Sequence, residues 1–546
     1  MYNTGRGGRV HKEGRMEPLP MILQKAGLTS QRCLACDVCC RFASPTASFI
    51  PFFSSAEMEA SGQTAETASH FLSPGRSSGE RVLVVPHGEG YRCPFLQSAT
   101  QECAIHERRP LDCRLYPFVL MYDEPGAAVW LGVDEVCPFA FEMAGRPELQ
   151  QAAAEVAELL EGPLADTVAN APGLVSPFQE HVRQLRVLPE ITRRVCRSDL
   201  GLARLVATSH KGLEGFFQAR STCLMGHAFP AMYLWTDLFN LHWKIEAGCL
   251  LVLAEDGGVS FLMAPPLGDG DIAQALDAAR ELMAAINGPR SGARAQEVDE
   301  ELLPLFAAAG WQVGHQAKEY IASTEALVSL RGRHFDGRRH DLRRFEKSCR
   351  AAWRPYASAD FRQCVALLRR WQQERAGHRP HDDFYHAQLF DSGFLHLRTL
   401  REAEDLGLRG FVAELECPLP VSYGPLPLGE GRVRAPEAGA APPYASLTPP
   451  SPEGRGGSVE GRGRSIVAYT FGFPLADGQT FADFIEVADL SYPGLAAWVF
   501  QRFCREARDY PYLNLGTDSE LPTLAQAKLA CRPTRIVPSY VLNAPQ

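Results

Sequence analysis

Four cysteines stand within eight residues in CLACDVCC (33–40), and four more follow at Cys93, Cys103, Cys113 and Cys137. No other feature constrains this chain so strongly. The pattern is C-x2-C-x2-C-C, then 52 residues, then C-x9-C-x9-C, then 23 residues before Cys137. A C-x2-C step lets one turn of chain present two thiolates to one metal ion. Neighbouring Cys39 and Cys40 do not easily face a single mononuclear site, so two metals or a shared cluster suits the pattern better. Disulfides and unligated buried thiols are the competing readings. The other eight of the sixteen cysteines scatter without short spacings and read as small buried hydrophobes. The N-terminus, MYNTGRGGRVHKEGRMEPLPMIL, has no apolar core of a secretory signal. Residues 1–28 read as a disordered tail, and the expected compartment is the cytoplasm. Thiols stay reduced there, which favours metal over disulfides.

The length of 546 residues suggests roughly two to four domains. A hydrophobic content of 45% and a charged content of 22% describe a globular chain. A net charge of −9 excludes a chain-wide nucleic-acid coat. No run approaches the roughly 18 apolar residues of a membrane span.

Residues 146–200 read as a helical extension. PELQQAAAEVAELLEG is rich in helix formers. SPFQEHVRQLRVLPEITRRV begins with a capping signal at Ser176, Pro177 and Gln179. YLWTDLFNLHW (233–243) has an amphipathic look. Beyond it strands and helices alternate: GCLLVLAED and VSFLMAPPLG, a helix ending at Gly288, the helices DFRQCVALLRRWQQERAG (360–377) and FLHLRTLREAEDLG (394–407), and the strands LRGFVAELE, SIVAYTFGFPL and TFADFIEVAD. LAAWVFQRFCREARDY places Leu495, Val499, Phe503 and Ala507 on one helical face. This predicts a mixed α+β (α/β) architecture. Residues 417–465 interrupt it with 10 Pro and 9 Gly in 49 positions. They read as a disordered insertion at a hairpin tip.

CDVCCRF, CPFL (93–96) and CAIHERRPLDCRLYPF (103–118) together resemble the YkgJ-type cysteine-cluster family, regarded as zinc- or iron-chelating. The resemblance spans about residues 30–140 and implies a metal-binding domain at 29–145. It implies Cys36, Cys39, Cys40, Cys93, Cys103 and Cys113 as metal ligands, with Cys33 and Cys137 as additions. His106 stands where the family more often has tyrosine and is a further candidate ligand. Zinc would act as a folding staple, whereas an iron–sulfur cluster would point to redox or sensing.

The segments YLWTDLFNLHW, KEYIASTEALVSLRGRHFDGRRHDLRRF and FADFIEVADLSYPGLAAWVFQRF…LNLGTDSELPTLAQAKLACRPTRIVPSY resemble the phosphatidylglycerol lysyltransferase C-terminal family. That resemblance covers about 225–546 and implies tandem acyltransferase domains of the GNAT fold, placed at 201–330 and 331–546. It implies aminoacyl-tRNA, or another phosphate-bearing donor, as partner. The membrane-embedded half of the lipid-modifying members is not seen, so the acceptor stays open. ADLSYPGLAAW (488–498) has one glycine, Gly494, where acyl-CoA enzymes of this fold place a glycine-rich pyrophosphate loop, so no acetyl-CoA motif is evident.

The motif match makes Asp483, Glu486 and Asp518 the catalytic candidates. Asn514 and Lys528 match the family's N-x-x-x-D…K pattern and become substrate-binding candidates. The stretch 331–354 carries nine Arg/Lys against three Asp/Glu, a local balance of 9 − 3 = +6. Within it Arg338, Arg339 and Arg343 are candidates for a nucleotide or nucleic-acid phosphate. Bland alternatives stand beside each: a helix cap for Asp518, an exposed strand position for Asp483, a solvated helix face for the arginines. The reading is a metal-binding fusion with an acyl- or aminoacyltransferase module. Its alternative is a non-catalytic metal or redox sensor, or a ligand-binding protein, on the same scaffold.

Overall fold

The computed structural model describes Ile22, Cys36 and residues 38–61, 70–71, 78–97, 99–236, 238–256, 258–288, 292–378, 382–416 and 464–544. Cys33, nearly all of the 417–465 insertion and the tail apart from Ile22, which is buried, lie outside the described residues.

Short strands bounded by turns build the cysteine-rich part. Strands β1 (Arg41–Phe42), β2 (Phe52–Ser54), β3 (Gly79–Arg81), β4 (Val85–His87) and β5 (Gly90–Arg92) form two small sheets, ordered β1-β5-β4 and β2-β3. Helix α1 (Leu111–Leu115) follows, then a third sheet of β6 (Phe118–Tyr122), β7 (Val129–Asp134) and β8 (Val182–Val187). Helices α2 (Pro147–Glu161), α3 (Ala165–Asn170) and α4 (Pro189–Cys196) pack on this sheet through Leu149, Val156, Leu160, Val168 and Ile191.

The helix expected from Ser176 does not form. Ser176 is buried, and its N–H donates to the Leu120 carbonyl at 2.8 Å. Residues 182–187 instead pair antiparallel with β7. A local capping signal lost to tertiary strand pairing. YLWTDLFNLHW likewise divides, its first residue ending the short helix Phe229–Tyr233 and its end entering a strand.

The C-terminal part is one twelve-stranded sheet. Its first half comprises β9 (Ala203–Arg204), β10 (Asn240–Glu246), β11 (Cys249–Asp256), β12 (Val259–Leu262), helix α5 (Ile272–Asn287), β13 (Arg294–Asp299), helix α6 (Leu303–Ala308) and β14 (Gln312–Ser323). Helix α7 (Asp336–Ser348) leads to the second half: β15 (Ala351–Pro355), helices α8 (Phe361–His378) and α9 (Asp383–Glu402), β16 (Arg409–Glu416), β17 (Arg464–Pro474), β18 (Thr480–Ala488), helix α10 (Leu495–Glu506), β19 (Tyr512–Thr517), helix α11 (Pro522–Leu529) and β20 (Arg535–Asn543).

The strand order is β15-β16-β17-β18-β19-β14-β20-β13-β12-β11-β10-β9. Each half therefore runs five of its own strands and then takes a sixth from the other. β14 pairs with β19, β20 pairs with β13, and the two exchanged strands pair with each other at the centre. Each half contains one parallel pair, β12 with β13 and β18 with β19, crossed by α5 and α10 respectively. This mixed architecture with two like halves is the fold class expected from sequence. Helix α10 buries Leu495, Trp498, Val499, Phe503 and Cys504 against the second half. Each large apolar side chain contributes roughly 1.5–3 kcal/mol of transfer free energy.

Candidate functional site

Seven of the eight clustered cysteines are described, and they converge on one chamber. A short turn, Val38–Cys40, presents Cys39 and Cys40. Pairing of β1 with β5 brings Cys93 alongside, its N–H donating to the Cys40 carbonyl at 2.9 Å. A bridge between Leu96 and Cys103 folds the next loop back, and α1 supplies Cys113. Cys137 begins the short helix Pro138–Glu142. Cys36, Cys39, Cys40, Cys93, Cys103 and Cys113 line a cavity of about 390 Å³ together with His106, Arg109, Tyr116 and Asp134. Cys137 stands beside it, within electrostatic reach of Cys39 and Cys36.

All seven are free thiols. Burial pushes Cys93 up to about 12 and raises Cys103, Cys113 and Cys137. A hydrogen bond with Cys40, then burial, raises Cys39, while Arg109 opposes. Those five thiols hold their protons more tightly than a free thiol does, and a cation would have to displace them. The donor set fits a thiophilic metal. So does a buried His106 Nε2 without a hydrogen-bond partner on the chamber wall. Among the described residues no three His, Cys, Asp or Glu side chains are arranged as a ready clasp for one ion.

The second constellation lies in the second half-sheet. β18 and β19 pair in parallel only through Thr480–Tyr512, Phe481–Leu513 and Ala482–Asn514. β18 continues to Ala488 and β19 to Thr517, so the strands diverge where the candidate residues begin. Asp483 stands opposite Gly472 and Glu486 opposite Thr470, with Phe484 as one extra residue between them. That bulge puts two residues three apart onto one face.

Burial drives the Asp483 carboxyl up to about 6, with Lys528 and Arg338 pulling against it. Glu486 is raised further, by burial and then by Asp483. Glu486 Oε2 and the facing Thr470 Oγ1 are buried without hydrogen-bond partners. Lys528, on α11, donates to the Leu515 and Thr517 carbonyls. Burial lowers it to about 8 despite Asp483, Glu319 and Asp518. Arg338, on α7, donates to Cys531 Sγ at 2.7 Å and lies 4.9 Å from the Phe500 ring centre.

The structure thus brings Asp483, Glu486, Lys528 and Arg338 together. It gives the others different surroundings. Asn514 is fully buried, bridging Glu319 and the Cys223 carbonyl. Asp518 accepts the Tyr320 hydroxyl at 2.7 Å and the Glu520 N–H at 3.1 Å. Arg339 braces the start of α7 through the Leu330 and Gly332 carbonyls and Asp336. Arg343 is exposed, donating to the Arg339 carbonyl one turn back. Gly494 begins α10 at φ +87°, and a Cβ there would lie 2.2 Å from the Asp341 carbonyl oxygen. It admits the close approach of α7.

Glu319 is the residue that sequence reading missed. It comes from β14, is 2% exposed and accepts the Met225 N–H at 3.0 Å. Burial and then Glu297 push its carboxyl up to about 7. The available signal was a lone carboxylate two positions before Ile321 in an otherwise apolar strand end.

Residues 32–138 match the family described as "Putative zinc- or iron-chelating domain", and residues 224–418 match "Phosphatidylglycerol lysyltransferase, C-terminal". The chain carries both segments. One segment is thus similar to a zinc- or iron-chelating domain and the other to a lysyltransferase C-terminal domain. The second match stops before the insertion, so Asp483, Glu486, Asn514, Asp518 and Lys528 lie beyond it. No curated protein matches the chain significantly. Among solved structures, a conserved protein of unknown function from Bacteroides thetaiotaomicron VPI-5482 is 19% identical, covering 63% of this chain and 99% of its own at TM-score 0.48. L-PGS from Bacillus licheniformis is 13% identical, covering 61% of this chain and 91% of its own at TM-score 0.39. No helix among the described residues is long and apolar enough to cross a membrane.

Proposed function

We propose that this protein is a metal-dependent fusion whose C-terminal part transfers an acyl group, with aminoacyl-tRNA as donor. The observation that carries the reading is the acidic pair Asp483 and Glu486 at the divergence of β18 and β19, with Lys528 and Arg338 beside it. The lysyltransferase-like match supports the donor class. In such a transfer the acceptor's nucleophile attacks the ester carbonyl, the bond to the ribose oxygen breaks, and one proton passes from nucleophile to leaving oxygen. A carboxylate titrating near neutrality suits that relay, since a general base works best near the operating pH. Glu319, at about 7, has the same property. The positioning of donor and acceptor supplies most of the rest. Exposed Arg331, Arg333, Arg343, Arg344 and Lys347 give α7 and its approach a basic face for donor phosphates.

In the N-terminal part, the cysteines with Cys33 would hold zinc or iron in a reducing compartment. Bound metal would supply the charge that offsets buried thiolates, and with it folding energy. Incubating purified protein with charged tRNAs, then acyl-CoAs, against an acceptor panel tests the transfer. If neither donor class binds or reacts, the reading fails. Elemental analysis and an absorption spectrum of protein purified without oxygen separate zinc from iron. A visible iron–sulfur band without any transfer would favour the sensor reading.

A further inference from the structure

A second cavity, of about 440 Å³, lies between the cysteine-rich part and the C-terminal sheet, separate from the acidic pair and adjoining the cysteine chamber through Ala47. Its wall comes from β3, the end of β6 and residues 172–179 on one side, and from residues 204–211, Tyr233 and α9 on the other. Among the described residues, five permanent cations line it: Arg81, Arg204, Lys211, Arg398 and Arg401. Three acids oppose them, Glu80, Glu402 and Asp405, leaving 5 − 3 = +2 in a chain whose net charge is −9.

The arginines are held in place rather than splayed into solvent. Arg81 donates to the Ile50 carbonyl at 2.6 Å. Arg398 donates to the Tyr233 hydroxyl at 2.7 Å and pairs with Glu402 at 3.2 Å. Arg204 is 6% exposed and donates to Asn240 Oδ1 at 2.9 Å. Burial depresses the Arg81 guanidinium from its ordinary value, and Arg401 and Arg398 depress it further, against Asp112 and Glu402. Guanidiniums converging from two elements on one cavity favour an anion within it. Planar guanidiniums match the paired oxygens of phosphate and carboxylate. Tyr122, Phe178 and Phe394 add aromatic wall, and the volume suits a small molecule rather than a bare ion.

We infer that this interdomain cavity binds a small molecule bearing a phosphate or carboxylate group, which joins the metal-binding part to the transferase part. Both sides of the cavity contribute cations, so occupancy stabilises their contact.

Calorimetry on the full chain at low ionic strength, with inorganic phosphate, pyrophosphate, AMP and citrate each up to about 10 mM, tests this. At least one probe is expected to bind and raise the melting temperature. Arg398→Gln should weaken it about tenfold or more, and Lys211→Gln, an exposed rim position, by a smaller factor. The rim variant should melt like wild type without ligand, which guards against a folding defect. Phosphate and pyrophosphate binding as well as AMP would assign a phosphate site, and citrate alone a carboxylate site. The inference is overturned if no probe binds, or if binding is unchanged in both variants. Neither result bears on transfer, which is assayed separately with charged tRNA.

Discussion

The two halves of the large sheet share a plan and differ at one place. In each, a parallel strand pair parts after a short contact: Leu262 with Ala295 in the first half, Ala482 with Asn514 in the second. In each, the second strand of the pair bulges at a residue of positive φ, Glu297 at +52° and Gly516 at +72°. Beyond the contact the first half continues Met263, Ala264, Pro265, Pro266, all buried, with Tyr540 on the neighbouring exchanged strand. The second half continues Asp483, Phe484, Ile485, Glu486, with Glu319 in the place of Tyr540. Buried apolar residues follow the contact in one divergence, where His227 also bonds to the Glu297 carbonyl, and the other holds carboxylates and a lysine. The same backbone device serves as core in one half and as candidate chemistry in the other, which is how function sits on a fold.

The largest effect expected from this contrast is on turnover. Glu486→Gln preserves shape but removes the acid, and should lower transfer from the donor found in the charged-tRNA assay about 10²–10⁴-fold. Unchanged turnover would remove the acidic pair from the mechanism. Next is the reciprocal change in the silent half. Met263→Asp places an unpaired carboxylate in an apolar divergence and should cost roughly 3–5 kcal/mol in urea denaturation. A smaller loss would mean that the first half is also open to water. Third, Gly494→Ala meets both a left-handed φ and the Asp341 carbonyl, at about 2–4 kcal/mol. In the first half the matching helix starts at Asp271, whose side chain accepts the Gln274 N–H at 3.0 Å, and Asp271→Ala should cost only about 1 kcal/mol.

The last effect is a pH dependence. Asp483 has a folded pKa raised from the ordinary 3.8 to about 6. Between those values the folded state binds the proton that the unfolded chain releases, so stability falls as pH rises through that window and then levels. Wild type should therefore lose stability relative to Asp483→Asn between pH 4 and 6, by at most about 2 kcal/mol after solvent screening. A flat difference across that range would mean that the carboxyl is hydrated.

The cysteine chamber was legible because its signal is short-range spacing, which survives without knowledge of the fold. The acidic pair was legible as residues but not as geometry. A strict alternation puts positions 483 and 486 on opposite faces, and only the extra residue Phe484 reunites them. Glu319 was illegible for a longer-range reason: its partners Asn514 and Lys528 sit beside it through strand exchange, across some 200 residues of chain. The helix predicted from Ser176 failed in the opposite sense, a clear local signal overruled by a neighbouring strand. The strands 409–416 and 464–474 were found because apolar runs on both sides frame the proline-rich insertion between them.

The exchange of β14 and β20 also sets a timetable. Ala295 finds its neighbour in Leu542, almost the last residue of the chain. On the ribosome, β13 therefore emerges with an open edge and keeps it until β20 has followed. The two halves finish folding together or not at all, and a fragment cut between them would expose unpaired strands on both pieces. Production of either half alone should yield aggregate, whereas co-expressed halves have the means to complete one another.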